Sequence, residues 1–155
     1  MDKKLHQAII EDDDLTLTEK IDAVFAALPP ETDAQKAARE AEIEEEFYIE
    51  SARDVLSGVS GIVYKWLHAT KQAHGEDSAE YQNLTAETAS VRKKLRDCSE
   101  DITHPNVRAA LPSLREIWRA NRGWDYNDQG GISKTDKRPD RNTLSALQRA
   151  TSFNL

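Results

Sequence analysis

Cysteine occurs once in the 155 residues, at Cys98. That rules out an internal disulfide framework and fits a reducing compartment, so a cytoplasmic location is expected. Glycine and proline are sparse, at 6 and 5, and β-branched runs are few while alanine is common. Such a composition excludes turn-rich sandwiches and barrels and points to an all-α fold. No apolar run approaches the roughly 20 residues that a membrane helix needs, so no membrane association is expected. The opening Met1-Asp2-Lys3-Lys4 lacks the apolar core of a signal peptide. Catalytic signatures are also missing. There is no glycine-rich phosphate loop, no Gly-x-Ser-x-Gly elbow and no His-Glu-x-x-His, and the expectation is a protein that is not an enzyme and needs no cofactor. His68 and His74 stand six apart, as do Cys98 and His104, with no third ligand beside either pair, which leaves a zinc site unsupported.

What the chain has is helical periodicity and charge. The charged fraction is 32% against 38% hydrophobic, so the core is thin and the surface densely charged. Residues 1–50 carry 15 acidic and 5 basic side chains, 51–114 carry 8 of each, and 115–155 carry 5 acidic and 8 basic. An acidic front and a basic tail either meet within the molecule or address partners of opposite sign.

The organising stretch is Asp33 to Ala73, read as one long helix opened by a Thr32/Gln35 capping box. Its expected stripe runs through Ala34, Ala37, Ala38, Ala41, Phe47, Tyr48, Ala52, Val55, Leu56, Val59, Ile62, Val63, Trp66 and Leu67. Gly58 and Gly61 either break this helix or leave a bare strip where a neighbour approaches. Gly75 suits the left-handed residue that closes a helix, and Asp77 with Glu80 restarts one. In the following helix, Ser78 to Cys98, the residues Tyr81, Leu84, Thr88, Val91, Leu95 and Cys98 recur at alternating steps of three and four, a heptad seam. A short turn between two such helices makes them antiparallel. The expected architecture is therefore a helical bundle built on a long αα-hairpin, with residues 1–122 as the bundle domain and 123–155 as an irregular basic loop and short C-terminal helix. The surplus length of the long arm favours a homodimer or cover by the N-terminal helices.

Ahead of the hairpin lies a possible short helix with Leu5, Ile9 and Ile10, then the acidic run Glu11-Asp12-Asp13-Asp14. Thr16 and Glu19 cap an amphipathic helix carrying Leu17, Ile21, Val24, Phe25 and Leu28, whose apolar face is expected in the core; Pro29-Pro30 stops it. The glutamates between Glu40 and Glu50 form a charged outer face or an acidic ridge that competes for a basic surface. After the hairpin, Thr103-His104-Pro105 starts a helix that Pro112 interrupts, and Asn142 caps a last one with Leu144 and Leu147.

Three candidate sites remain. Arg115, Arg119 and Arg122 form a basic stripe, and with Trp124, Tyr126, Lys137, Arg138 and Arg141 they make a surface for a protein partner. The segment Asp125 to Asp136 resembles the EF-hand calcium loop. Asp125, Asn127 and Gln129 fall at the first, third and fifth places, Gly130 at the turn, Gly131 at the carbonyl position, Ser133 at the ninth and Asp136 at the last, where glutamate is usual. That resemblance implies calcium as ligand in a calcium-binding helical protein. The basic tail with its aromatic residues offers a third option, contact with nucleic acid. The leading expectation is a helical protein–protein interaction or regulatory module, an adaptor or inhibitor of a larger machine.

Overall fold

The computed structural model describes residues 3–121 and 139–155; Arg122, Trp124, Tyr126, Lys137, Arg138 and the whole calcium-loop resemblance at 125–136 lie outside them. Among the described residues there are six helices and no strand: α1 Lys3–Ile10, α2 Leu17–Ala27, α3 Asp33–His74, α4 Ala79–Glu100, α5 Pro105–Asn121 and α6 Arg141–Ala150. The fold is all-α, as the composition implied. None of the six helices is long and apolar enough to cross a membrane. The chain divides into two compact units, Met1–Glu44 and Glu45–Leu155.

The second unit is built on the hairpin. α3 is continuous through both glycines and ends at Gly75, whose φ of +92° places it in the left-handed region and whose N–H donates to the Lys71 carbonyl at 2.8 Å. Ser78, rather than the expected Asp77, caps α4: its Oγ accepts from the Tyr81 N–H at 3.2 Å. The heptad seam is buried as read, with Leu84, Thr88, Val91, Leu95 and Cys98 all inside. Thr88 is the polar member, and its hydroxyl donates to the Leu84 carbonyl at 2.8 Å, so a core hydroxyl is satisfied within its own helix. Burial pushes the Cys98 thiol above its ordinary range and leaves it a small apolar filler.

Side-chain contacts set the direction of each helix. Tyr48, early in α3, donates through its hydroxyl to the Ile102 carbonyl beyond the end of α4 at 2.8 Å, while Lys71, late in α3, sits over the Tyr81 ring at the start of α4. α3 and α4 are thus antiparallel. Arg108 reaches Glu45, Arg115 reaches Ser51 and Trp118 abuts Gly58, so α5 runs parallel to α3. Arg141 pairs with Glu87 and Lys94 reaches the Phe153 carbonyl, which sets α6 parallel to α4. Four segments alternate up, down, up and down around one core, whose α3 face is Ala52, Val55, Leu56, Val59, Val63 and Leu67 and whose other walls include Leu111, Leu114 and Leu147.

Several local expectations are corrected. Pro112 does not interrupt α5, which passes through it. Pro112 and Arg108, whose carbonyl loses its helical donor to the proline, both lie on the exposed side, so the lost bond does not fall in the core. Asp140, not Asn142, caps α6 in a full capping box, accepting from the Thr143 N–H at 3.0 Å while Thr143 Oγ1 accepts from the Asp140 N–H at 3.2 Å. Phe47 is 68% exposed, because it falls on the face of α3 beside the core stripe rather than within it.

The first unit differs in kind. α1 and α2 pack together, with Lys20 Nζ donating to the Ile10 carbonyl at 2.8 Å, and the Thr16 cap forms as read. Thr32 and Gln35 bond reciprocally at 2.9 and 3.1 Å at the start of α3. Yet none of the described residues of this unit is buried, and residues 33–44 are exposed throughout. The expected burial of the α2 apolar face does not occur.

The two glycines of α3 make opposite predictions. A Cβ at Gly58 would lie 2.6 Å from Trp118 Cδ1, whereas one at Gly61 meets nothing within 4 Å. Gly58→Ala should lower stability by about 1–3 kcal/mol through forced displacement of the indole. Gly61→Ala should raise it by about 0.5–1 kcal/mol by removing glycine's helical penalty. Thermal denaturation followed by circular dichroism reads both, and equal shifts of the same sign would contradict the packing described.

Candidate functional site

Within the second unit, α3 and α5 enclose a shallow cleft of about 380 Å³ lined by Phe47, Glu50, Ser51, Asp54, Val55, Arg115, Trp118 and Arg119. Periodicity places them there: Arg115, Trp118 and Arg119 are neighbours on one face of α5, and Phe47, Glu50, Ser51 and Asp54 on one face of α3. The Arg115 guanidinium donates to Ser51 Oγ at 2.9 Å. Arg115 and Arg119 therefore share a cleft with Glu50 and Asp54 of α3 inside their own unit. Arg108 lies two helical turns earlier on α5, outside the cleft lining. Its guanidinium lies 3.7 Å from the centre of the Tyr48 ring and donates to both Glu45 carboxylate oxygens at 2.5 and 2.6 Å. Burial raises the Tyr48 hydroxyl pKa, with the Arg108 charge opposing it. Tyr48, Glu45, Arg108 and Ile102 together tie α3, the α4–α5 turn and α5, a structural clasp rather than a chemical site.

Of the predicted partner residues, then, Arg115 and Arg119 come together in one cleft. Arg141 stands apart, at the N-terminus of α6, paired with Glu87. Among the described residues no three His, Cys, Asp or Glu side chains stand close enough to share a metal ion.

The other candidate surface was legible but assigned to the wrong place. In the first unit a groove of about 400 Å³ is lined by His6, Ile10, Leu17, Lys20, Ile21, Val24 and Phe25. Leu17 is 75% exposed and Phe25 69%, and Leu5, Ile10, Ile21 and Leu28 are exposed as well. Isolated surface apolar residues need no explanation, but Ile10, Leu17, Ile21 and Phe25 line one groove together, a grouping of the kind that marks an interaction surface. The amphipathic pattern of α2 identified the face; nothing in a periodic pattern says what covers it.

No family model, curated protein or solved structure matches the chain.

The clasp and the cleft respond differently to truncation. Arg108→Ala should cost about 1 kcal/mol, from lost stacking on Tyr48 and a half-exposed ion pair. Arg119→Ala should leave stability within about 0.5 kcal/mol, as expected for an exposed side chain. Urea denaturation of both variants checks this, and a larger loss for Arg119→Ala would place it in the clasp.

Proposed function

We propose that the chain is a non-enzymatic helical interaction module that binds another protein, acting as an adaptor or inhibitor of a larger assembly. One observation carries this reading: the α1–α2 pair presents Leu17, Ile21 and Phe25 outward along a groove while burying none of its residues. Leaving that much apolar surface in water is unfavourable by about 25 cal/mol per Å², a cost that contact with a partner removes. The second unit supports it differently. Its apolar stripes are filled from within, which makes it suited to hold a binding element rather than to be one. Arg115, Arg119, Phe47 and Trp118 form a subsidiary contact surface of mixed cationic and aromatic character. Calcium binding through 125–136 rests on residues outside those described, nucleic-acid contact through the basic tail rests on them in large part, with Arg141 and Arg149 described, and neither is favoured by a specific observation.

A photocrosslinking side chain placed at position 25 of the full chain, irradiated in an extract of the native cell, tests the reading. The expected result is a covalent adduct to one discrete protein, lost when Leu17→Asp is added. Diffuse labelling that Leu17→Asp does not change, or turnover of a small-molecule panel by the purified chain, would contradict it.

A further inference from the structure

We infer that the α1–α2 groove receives an amphipathic helix of another protein whose apolar stripe is flanked by lysine or arginine. This inference rests on the interaction reading above and names the chemistry of the partner. The shape argument comes first. Leu17, Ile21, Val24, Phe25 and Leu28 follow helical spacing on α2, and Leu5, Ile9 and Ile10 do so on α1. The groove is lined from both helices, by His6 and Ile10 on one side and Leu17, Lys20, Ile21, Val24 and Phe25 on the other. Two short helices cannot enclose a core between them; a third, laid along the groove with its own anchors one turn apart, completes one.

Charge decides what flanks that third helix. Between Lys3 and Leu28 the acidic side chains are Glu11, Asp12, Asp13, Asp14, Glu19 and Asp22, against three lysines. Lys3 and Lys4 are confined to the first turn of α1, and Lys20, the one lysine in the groove lining, is held by the Ile10 carbonyl at 2.8 Å. Residues 1–44 as a whole hold 12 acidic and 5 basic side chains. A second copy would bring an equally acidic surface against this one, and like charges brought together oppose association. A basic flank meets the surface with complementary potential, which speeds encounter and selects against acidic helices.

Two fluorescein-labelled synthetic helices with one leucine stripe, one lysine-flanked and one glutamate-flanked, titrated into the full chain and read by anisotropy, test the inference. The lysine-flanked helix should bind at least tenfold tighter than the glutamate-flanked one. Its binding should weaken at least tenfold in Leu17→Asp and Phe25→Asp, although each variant adds negative charge. Both positions are highly exposed, and unchanged helical content by circular dichroism, together with unchanged amide exchange of α1 and α2, confirms that the groove survives. Lysine-helix binding that is unchanged or stronger in the variants would reduce the effect to charge attraction without a groove and overturn the inference. Equal binding of the two helices would overturn the basic flank while leaving an interaction surface. No binding of either, with sedimentation showing a dimer that Phe25→Asp dissociates, would identify a second copy as occupant and overturn it too. The crosslink from position 25 to another protein separates failure of the partner's chemistry from failure of the interaction reading itself.

Discussion

Packing of the Trp118 side chain of α5 on the bare α3 backbone at Gly58 is the constraint on which the second unit depends. The Trp118 indole occupies the space a side chain would fill there, so the helices meet without a gap and the α3 stripe from Ala52 to Leu67 is closed on one side. The α4 seam closes the other side, and α6 seals the remaining edge through Leu144 and Leu147. Interiors pack at crystal-like density, so a spine shared by several helices allows little freedom in which residues stand at the contacts. A glycine that weakens a lone helix is here what allows two helices to pack. The clasp around Tyr48 and Arg108 fixes the same pair of helices nearer the beginning of the unit.

Much of this was readable from residue order, because helices repeat. The α4 seam, the Gly75 turn, the Thr16 and Thr32 caps and the long span of α3 follow from spacing and local chemistry, which act within a few residues. The misreadings arose where the deciding partner is distant or the cue is permissive. Pro112 looked like an interruption because proline breaks an isolated ladder; placed on an exposed side it costs one bond and the helix continues. Asp140 was passed over for Asn142, although Thr143 three residues on completes its box. Phe47 was grouped with the core, but a stripe of 3.6-residue period drifts, and its position falls off the buried face.

The candidate surface shows the same division. Periodicity located the apolar face of α2, and physics gives that face a need for cover, but the covering element is not written into its own residues. Spacing and charge put Arg115 and Arg119 on one stripe, but their cleft with Phe47 and Trp118 depends on α5 running parallel to α3, which no local pattern states. One unit satisfies its apolar stripes internally and the other leaves them open. That asymmetry, more than any single side chain, is what supports the proposed interaction role.

Native-state hydrogen exchange tests this asymmetry most directly. In the free protein, amides of α4, α5 and the portion of α3 from Ala52 to Leu67 should exchange only with global unfolding, while those of α1 and α2 exchange by local opening at far lower free energy. Protection of α1 and α2 equal to that of α4 in the free, monomeric chain would mean that the groove is already filled from within, and would contradict the account.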